Sequence, residues 1–261
     1  MSKITIGADP EVFTLNPITG KEVSAIGLIG GTKYEPLPTP NGSVQEDNVA
    51  AEFNVHPAKT ALEFVHNIQA VLTDLKQIVE KHNLVLSTKS CAKFTKEELS
   101  HPEAMKAGCD PDFNAWLPYL TPNRAPNVMR LPIRSCGGHI HIGFKPKDLE
   151  EVKQVVKCMD LFLGIPSIIM DQGEERKKLY GKAGCFRPTT YGLEYRTLSN
   201  FWIFYPKYIR WAFQQSERAQ KQAKKMIFDE KLADRIINTI NKNNKSEAHN
   251  IVREFGLEVV E

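Results

Sequence analysis

His139 and His141 stand two residues apart in the stretch Ser135-Cys136-Gly137-Gly138-His139-Ile140-His141-Ile142-Gly143-Phe144. In a β-strand, residues i and i+2 point to the same face. The imidazoles therefore look one way, and Ile140 and Ile142 the other. Glycines on both sides permit close approach of a ligand or of neighbouring backbone. The same arrangement recurs at Asp9 and Glu11, at Glu52 and Asn54, and at Glu194 and Arg196. Apolar residues alternate with each pair, for example Ala8 and Val12, Phe53 and Val55, Leu193 and Tyr195. Any one pair is unremarkable; Glu194 and Arg196 alone read as a surface ion pair worth under about 1 kcal/mol. Together the four segments predict one sheet with Asp9, Glu11, Glu52, His139, His141, Glu194 and Arg196 on its open face.

Carboxylates gathered in one patch repel one another and need compensation. Mg²⁺ or Mn²⁺, hard cations that take oxygen ligands, supply it. A neutral imidazole beside them completes a metal shell, or contacts phosphate when protonated. Arg196, Arg187 and Arg176 can hold phosphate oxygens through paired N–H groups. Carboxylates for metal and guanidiniums for phosphate are the equipment of phosphoryl transfer. The sequence has neither a GxxxxGK[ST] nor a GxGxxG loop, so the nucleotide is held by some other device.

These residues need a frame. The chain has 261 residues, 41% hydrophobic and 25% charged, ordinary for a globular protein. Its formal charge of +3, from 34 basic and 31 acidic residues, gives no argument for a nucleic-acid or membrane partner. No apolar run reaches the roughly 18 residues of a membrane span, and no signal-peptide pattern opens the chain. Cys91, Cys109, Cys136, Cys158 and Cys185 lack CxxC spacing and read as reduced thiols of a cytoplasmic protein.

Residues 3–15 predict a first strand and 22–28 a hairpin partner. The proline- and glycine-rich 29–46 predicts an irregular connection. Strands follow at 48–56 (bearing Glu52), at 84–86 and at 130–144. Helical spacing of apolar residues marks 58–82, 148–170 and 205–225, with shorter helices at 229–242 and 246–255. Residues 95–129 are the least regular, and read equally as a functional lid or a covering loop. The fold class expected is α+β: a curved, mostly antiparallel sheet with the long helices on its apolar face, in one domain spanning 1–261 whose part 204–261 is helical.

The order of these motifs resembles the glutamine synthetase and glutamate–cysteine ligase superfamily. Asp9-Pro10-Glu11 stands for its E-x-E strand, with one Asp substitution. His139-Ile140-His141 stands for H-x-H, and Glu194-Tyr195-Arg196 for E-x-R. Within it, Gly7–Glu11, Glu46–Asn54, Gly137–Gly143 and Tyr191–Thr197 resemble the phage-encoded COOH-NH2 ligase type 2 family, over roughly residues 4–203. The resemblance implies a glutamine synthetase-type sheet that binds ATP with two or three Mg²⁺ or Mn²⁺ ions. It implies amide formation between a carboxylate and an amine, small molecules or peptides, through an acyl phosphate. Asp9, Glu11, Glu52, His139 and Glu194 would be metal ligands, Glu52 also serving catalysis. His141, Arg187 and Arg176 would contact ATP phosphates or substrate, and Arg196 would be catalytic. Glu46 or Asp47 would add a carboxylate. Two other outcomes stay open: a phosphotransferase acting on an amine or guanidine, and an inactive nucleotide-binding relative.

Overall fold

The computed structural model describes residues 4–105, 112–123, 131–173 and 175–261. The stretches 106–111 and 124–130 of the irregular segment lie outside the described residues.

The expected first strand is three short ones: β1 (Thr5–Ala8), β2 (Glu11–Val12) and β3 (Thr14–Asn16). Pro10 explains the first break, since it has no N–H for a ladder. Then come β4 (Lys21–Val23), β5 (Leu37–Thr39), β6 (Gly42–Asp47) and β7 (Ala50–Val55). Two of these lie where an irregular connection was expected. Pro38 is tolerated in β5 because that strand is a sheet edge. The later strands are β8 (Val85–Leu86), β9 (Cys91–Lys93), β10 (Phe113–Asn114), β11 (Ile133–Ser135), β12 (Ile140–Gly143), β13 (Cys185–Thr189) and β14 (Gly192–Tyr195). His139 thus precedes its strand rather than lying in it.

The largest sheet runs β1-β12-β14-β13-β10, and a second runs β2-β7-β6-β5. Every described strand pair is antiparallel. Backbone hydrogen bonds exchanged by Ile6 and Ala58 (2.9 and 2.8 Å), and one from Glu11 N to Gly137 O (2.9 Å), join these two sheets. The α+β class read from the sequence is therefore observed, with one expected sheet divided where Pro10 and the glycines interrupt pairing.

The helices are α1 (Ala61–Glu80), α2 (Lys96–Leu99), α3 (Pro102–Met105), α4 (Leu149–Met159), α5 (Ile165–Met170), α6 (Arg176–Leu179), α7 (Pro206–Gln222), α8 (Glu230–Asn241) and α9 (Lys245–Phe255). Side-chain caps start α1, where Thr60 accepts from Glu63 N, and α4, where Asp148 accepts from Glu151 N; α7 instead opens on Pro206. Helix α1 lies on β6 and β7, α4 lies on β13 and β14, and α7 packs against both helices. Ile140, Ile142, Leu193 and Tyr195 are buried in the core these helices form, where Phe64 stacks on Trp202. No described helix is long and apolar enough to cross a membrane, and Cys136, Cys158 and Cys185 are free thiols.

Between α4 and α5 one π-helical turn, Asp160–Gly164, brings a carboxylate into the core. Asp160 is fully buried. Its oxygens accept from Trp116 Nε1 (2.6 Å), Gly184 N (2.6 Å) and Tyr195 OH (2.8 Å). Burial pushes its pKa up to about 6 against the pull of these donors. Asp160 thereby fastens the Trp116 loop and the start of β13 to the back of β14. Asp160→Ala leaves three donors without an acceptor and removes one costly buried charge. The net expected loss is about 3 kcal/mol, read from the denaturation midpoint. A loss below about 1 kcal/mol would mean that water replaces the carboxylate.

Candidate active site

Alternation turns the side chains opposite to Ile140 and Leu193 toward the open face. Cross-strand register places His141 opposite Glu194, and Glu194 opposite Arg187. Asp9 follows β1, whose Gly7 pairs with His141. On the second sheet, Glu11 stands directly opposite Glu52, and Gln45 opposite Glu52 on its other side. Like charges directly opposite destabilise a sheet, so this pairing needs a compensating charge.

His139 is the hub. Its Nδ1 is 3.5 Å from Asp9 Oδ1, 3.6 Å from Glu194 Oε1 and 3.3 Å from Arg196 Nη1, and its Nε2 is 4.0 Å from Glu11 Oε1. Gly137 is required beneath this ring, because a Cβ there would collide with His139 Nε2. Its amide N donates to Glu11 Oε2 (2.7 Å). Asp9 Oδ1 lies 2.8 Å from His141 Nε2. Glu194 accepts from Arg196 Nη1 through one oxygen and from Arg187 Nη1 (3.3 Å) through the other. Gln45 Nε2 donates to Glu52 Oε2 (3.0 Å).

The charges are strongly shaped by burial. Burial disfavours ionised Asp9, but the imidazoles of His141 and His139 outweigh it and hold its carboxyl well below the usual range. Burial lowers the tendency of His141 to protonate, yet the Asp9 charge overrides this and raises its pKa. Glu52 is pushed well above the carboxylate range by burial and by the charges of Asp9, Asp47 and Glu11. Asp47 rises to about 7, through burial and then Glu11.

Among the described residues, Asp9, His141 and Glu194 each place a potential ligand atom within 4.8 Å of the others. The donor set fits a hard divalent cation: carboxylates cluster here, and beside them Glu52 and Asp47 are driven toward protonation by burial and by the neighbouring charges.

The other residues singled out divide. Asp47 lies at the tip of the β6–β7 hairpin and lines a cavity beside the cluster, together with Glu11, Asp112, His139, Tyr180 and Arg196. Glu46 points away, its Oε1 accepting from Gly27 N, Ile29 N and Gly30 N at 2.9–3.2 Å. The parity of a strand over 42–47 would have separated them, since residues 45 and 47 share the face of Glu52. Arg176 also lines the cavity, but its guanidinium donates to the backbone carbonyls of Cys136 (3.1 Å), Thr197 (3.1 Å) and Arg196 (3.4 Å). Through these three bonds it braces the loop. Asp112, unmarked by any motif, approaches Arg196 Nε at 3.6 Å.

Compared with known proteins, residues 127–260 match the family model described as "Phage phiEco32-like COOH.NH2 ligase-type 2". No curated protein matches the chain. Among solved structures, "Apo GmaS without ligand" is similar at TM-score 0.43 and 11% identity, over 99% of this chain and 70% of that one. "GmaS/ADP complex-Conformation 1" gives 0.40 and 11%, over 99% and 71%. "Crystal structure of novel glutamine synthase homolog" gives 0.40 and 10%, over 97% and 67%.

Proposed function

The chain belongs to the phage phiEco32-like COOH.NH2 ligase-type 2 family, and from that premise we propose that it is an ATP- and Mg²⁺-dependent carboxylate–amine ligase working through an acyl phosphate. The observation that carries the mechanism is the cluster itself. Asp9, Glu11, Glu52 and Glu194 converge beside Arg196 and Arg187 on one face.

In this reading Asp9, Glu11, Glu52 and Glu194, with His139 among them, hold the metal. A bound divalent cation supplies charge neutralisation for the phosphates. Arg187 and Arg196 present guanidinium N–H groups to phosphate oxygens. His141 offers a ring N–H beside Asp9. The substrate carboxylate oxygen attacks the γ-phosphorus, and ADP departs. The amine nitrogen then attacks the acyl carbon, phosphate departs, and the nitrogen loses a proton. The Asp47 carboxylate lines the cavity next to the cluster and stands where it can take that proton.

The test is an assay with ATP, Mg²⁺ and a panel of amino acids and peptides. The expected products are ADP, free phosphate and a new amide seen by mass spectrometry. ADP with a stable N–P product and no amide would replace the ligase by a phosphotransferase. ATP binding without turnover across the panel would point to an inactive relative.

A further inference from the structure

Glu11 is held on one side by its strand partner and on the other by two separate segments. Across β2 and β7, Phe53 N donates to Pro10 O (3.1 Å), so the backbone N–H and C=O of Glu11 itself face away from β7. On that far side a regular antiparallel neighbour exchanges two bonds with its opposite residue, N–H to C=O in each direction. Gly137 completes one of them, since Glu11 N donates to Gly137 O (2.9 Å). The second is replaced. Asn200 Nδ2 donates to Glu11 O (2.9 Å), and Gly137 N donates instead to the side chain, at Glu11 Oε2 (2.7 Å).

Asn200 lies 189 residues from Glu11 in the chain. It is fully buried and opens the 3-10 turn Asn200–Ile203, which Ser199 caps by accepting from Phe201 N. The turn is fastened where it stands: Ser199 Oγ donates to Asp171 Oδ2 (2.8 Å), and Trp202 Nε1 to Gly138 O (3.2 Å). Asn200 Oδ1 has no hydrogen-bond partner among the described residues. The bond to Glu11 is therefore the one its side chain makes there.

We propose that Asn200 is a positioning residue for Glu11: by taking the Glu11 carbonyl it releases the Gly137 N–H to bind the Glu11 carboxylate, and so turns the other oxygen, Oε1, toward His139 and the acidic cluster. Glu11 Oε1 is the oxygen on the His139 side, 4.0 Å from Nε2. The rerouted bond has a charged acceptor and is stronger than the backbone bond it replaces. A side-chain amide suits the task, because it donates without adding charge beside the carboxylates. Without Asn200 the buried carbonyl would lack a donor, and leaving it so is costly. Ladder geometry then returns the Gly137 N–H to it, and the carboxylate loses the bond that fixes Oε2. The inference rests on the reading of Glu11 as a metal ligand and adds the residue that orients it.

NMR of the Gly137 amide tests the rerouting in the metal-free protein without substrates, so its outcome is separate from that of the turnover assay. Cys136-Gly137 is the one Cys-Gly step in the sequence. Paired isotope labels on cysteine carbonyl carbons and glycine nitrogens therefore isolate its signal. In the wild-type protein the amide proton should lie far downfield, as a short bond to a charged acceptor places it. Glu11→Gln marks how far it moves upfield when that charge is lost, and Asn200→Ala should move it the same way. Asn200→Thr, of nearly equal volume, keeps the core filled while its hydroxyl ends one bond short of the carbonyl, and should do likewise. In both Asn200 variants the Mg²⁺ concentration giving half of the full rise in Tm should increase about five- to tenfold, the factor one hydrogen bond of ordinary net strength carries. A purely structural Asn200 would lower Tm and move neither readout. A Gly137 signal unmoved in the variants, or an unchanged Mg²⁺ requirement, overturns the proposal.

Discussion

Arg196→Lys should lower kcat by about 10²-fold or more, with a smaller change in the KM for ATP. Arg196 is only 6% exposed. Its Nη1 meets Glu194 and lies 3.3 Å from His139 Nδ1, while Nε lies 3.6 Å from Asp112 Oδ2. The guanidinium therefore joins β14, the segment leading into β12 and the irregular segment at once. Negative charge shifts during phosphoryl transfer, so contacts to it strengthen in the transition state. Arginines so placed in phosphoryl-transfer enzymes are worth roughly 10³–10⁵ in rate. Lysine keeps the charge and still neutralises Glu194 and Asp112, so the fold should hold. It loses the planar fork that reaches two partners together. A loss confined to kcat marks an interaction made mainly in the transition state. Steady-state ADP release by the purified variant decides this. A near wild-type kcat would reduce Arg196 to a structural cation, and with it the assignment of the Glu194–Arg196 strand to phosphoryl transfer.

How much of this site the sequence discloses depends on which physical rule governs each residue. Alternation governs β12 and β14, so Ile140, Ile142, Leu193 and Tyr195 are buried as read, and His141 and Glu194 face the open side. Alternation does not govern Asp9 and Glu11. Pro10 ends the ladder between them, and they reach His139 separately, Asp9 from just beyond β1 and Glu11 from β2. Their common destination was legible, but the route was not. The opposition of Glu11 and Glu52 is a matter of register, which spacing within one segment cannot reveal.

What spacing along the chain leaves out has equally specific causes. Strand β6 was hidden by Gly42 and by the prolines just before it, so the parity that joins Gln45 and Asp47 to Glu52 stayed out of reach. Arg176 has the chemistry of a phosphate ligand, but its hydrogen bonds go to carbonyls contributed by distant segments. Asp112 enters through the pairing of β10 with β13, through Asn123 Nδ2, which donates to its Oδ1 (2.9 Å), and through the Trp116 loop fastened to Asp160 in the core. Such contacts arise from packing between elements far apart in the chain, and local pattern has no access to them.

Glu52→Gln should cost roughly 10³-fold in turnover, yet leave the metal-free protein as stable as wild type, or more so, at pH 8. Burial and the charges of Asp9, Asp47 and Glu11 hold the Glu52 carboxyl well above its ordinary range, and Asp47 is raised to about 7 in the same way. A carboxyl whose folded pKa exceeds its unfolded value contributes stability that is complete below the unfolded pKa, near pH 4. That contribution is lost as the pH rises through the folded pKa. The metal-free protein should therefore lose stability between about pH 4 and pH 7 or beyond, and the Gln variant should lose less. Gln45 Nε2, which donates to Glu52 Oε2 at 3.0 Å, can still donate to the amide oxygen. Glu11 is a poorer probe, because its Oε2 also receives the Gly137 amide, and truncation would strand that buried N–H. Mg²⁺ competes with the protons on these carboxylates, so its stabilising effect should grow across the same pH window. Thermal unfolding with and without Mg²⁺, at pH 6 and pH 8, measures this directly. The wild-type protein should gain more in Tm from Mg²⁺ at pH 8 than at pH 6, and Glu52→Gln should gain little at either. An equal Mg²⁺ response in both proteins would remove Glu52 from the metal site.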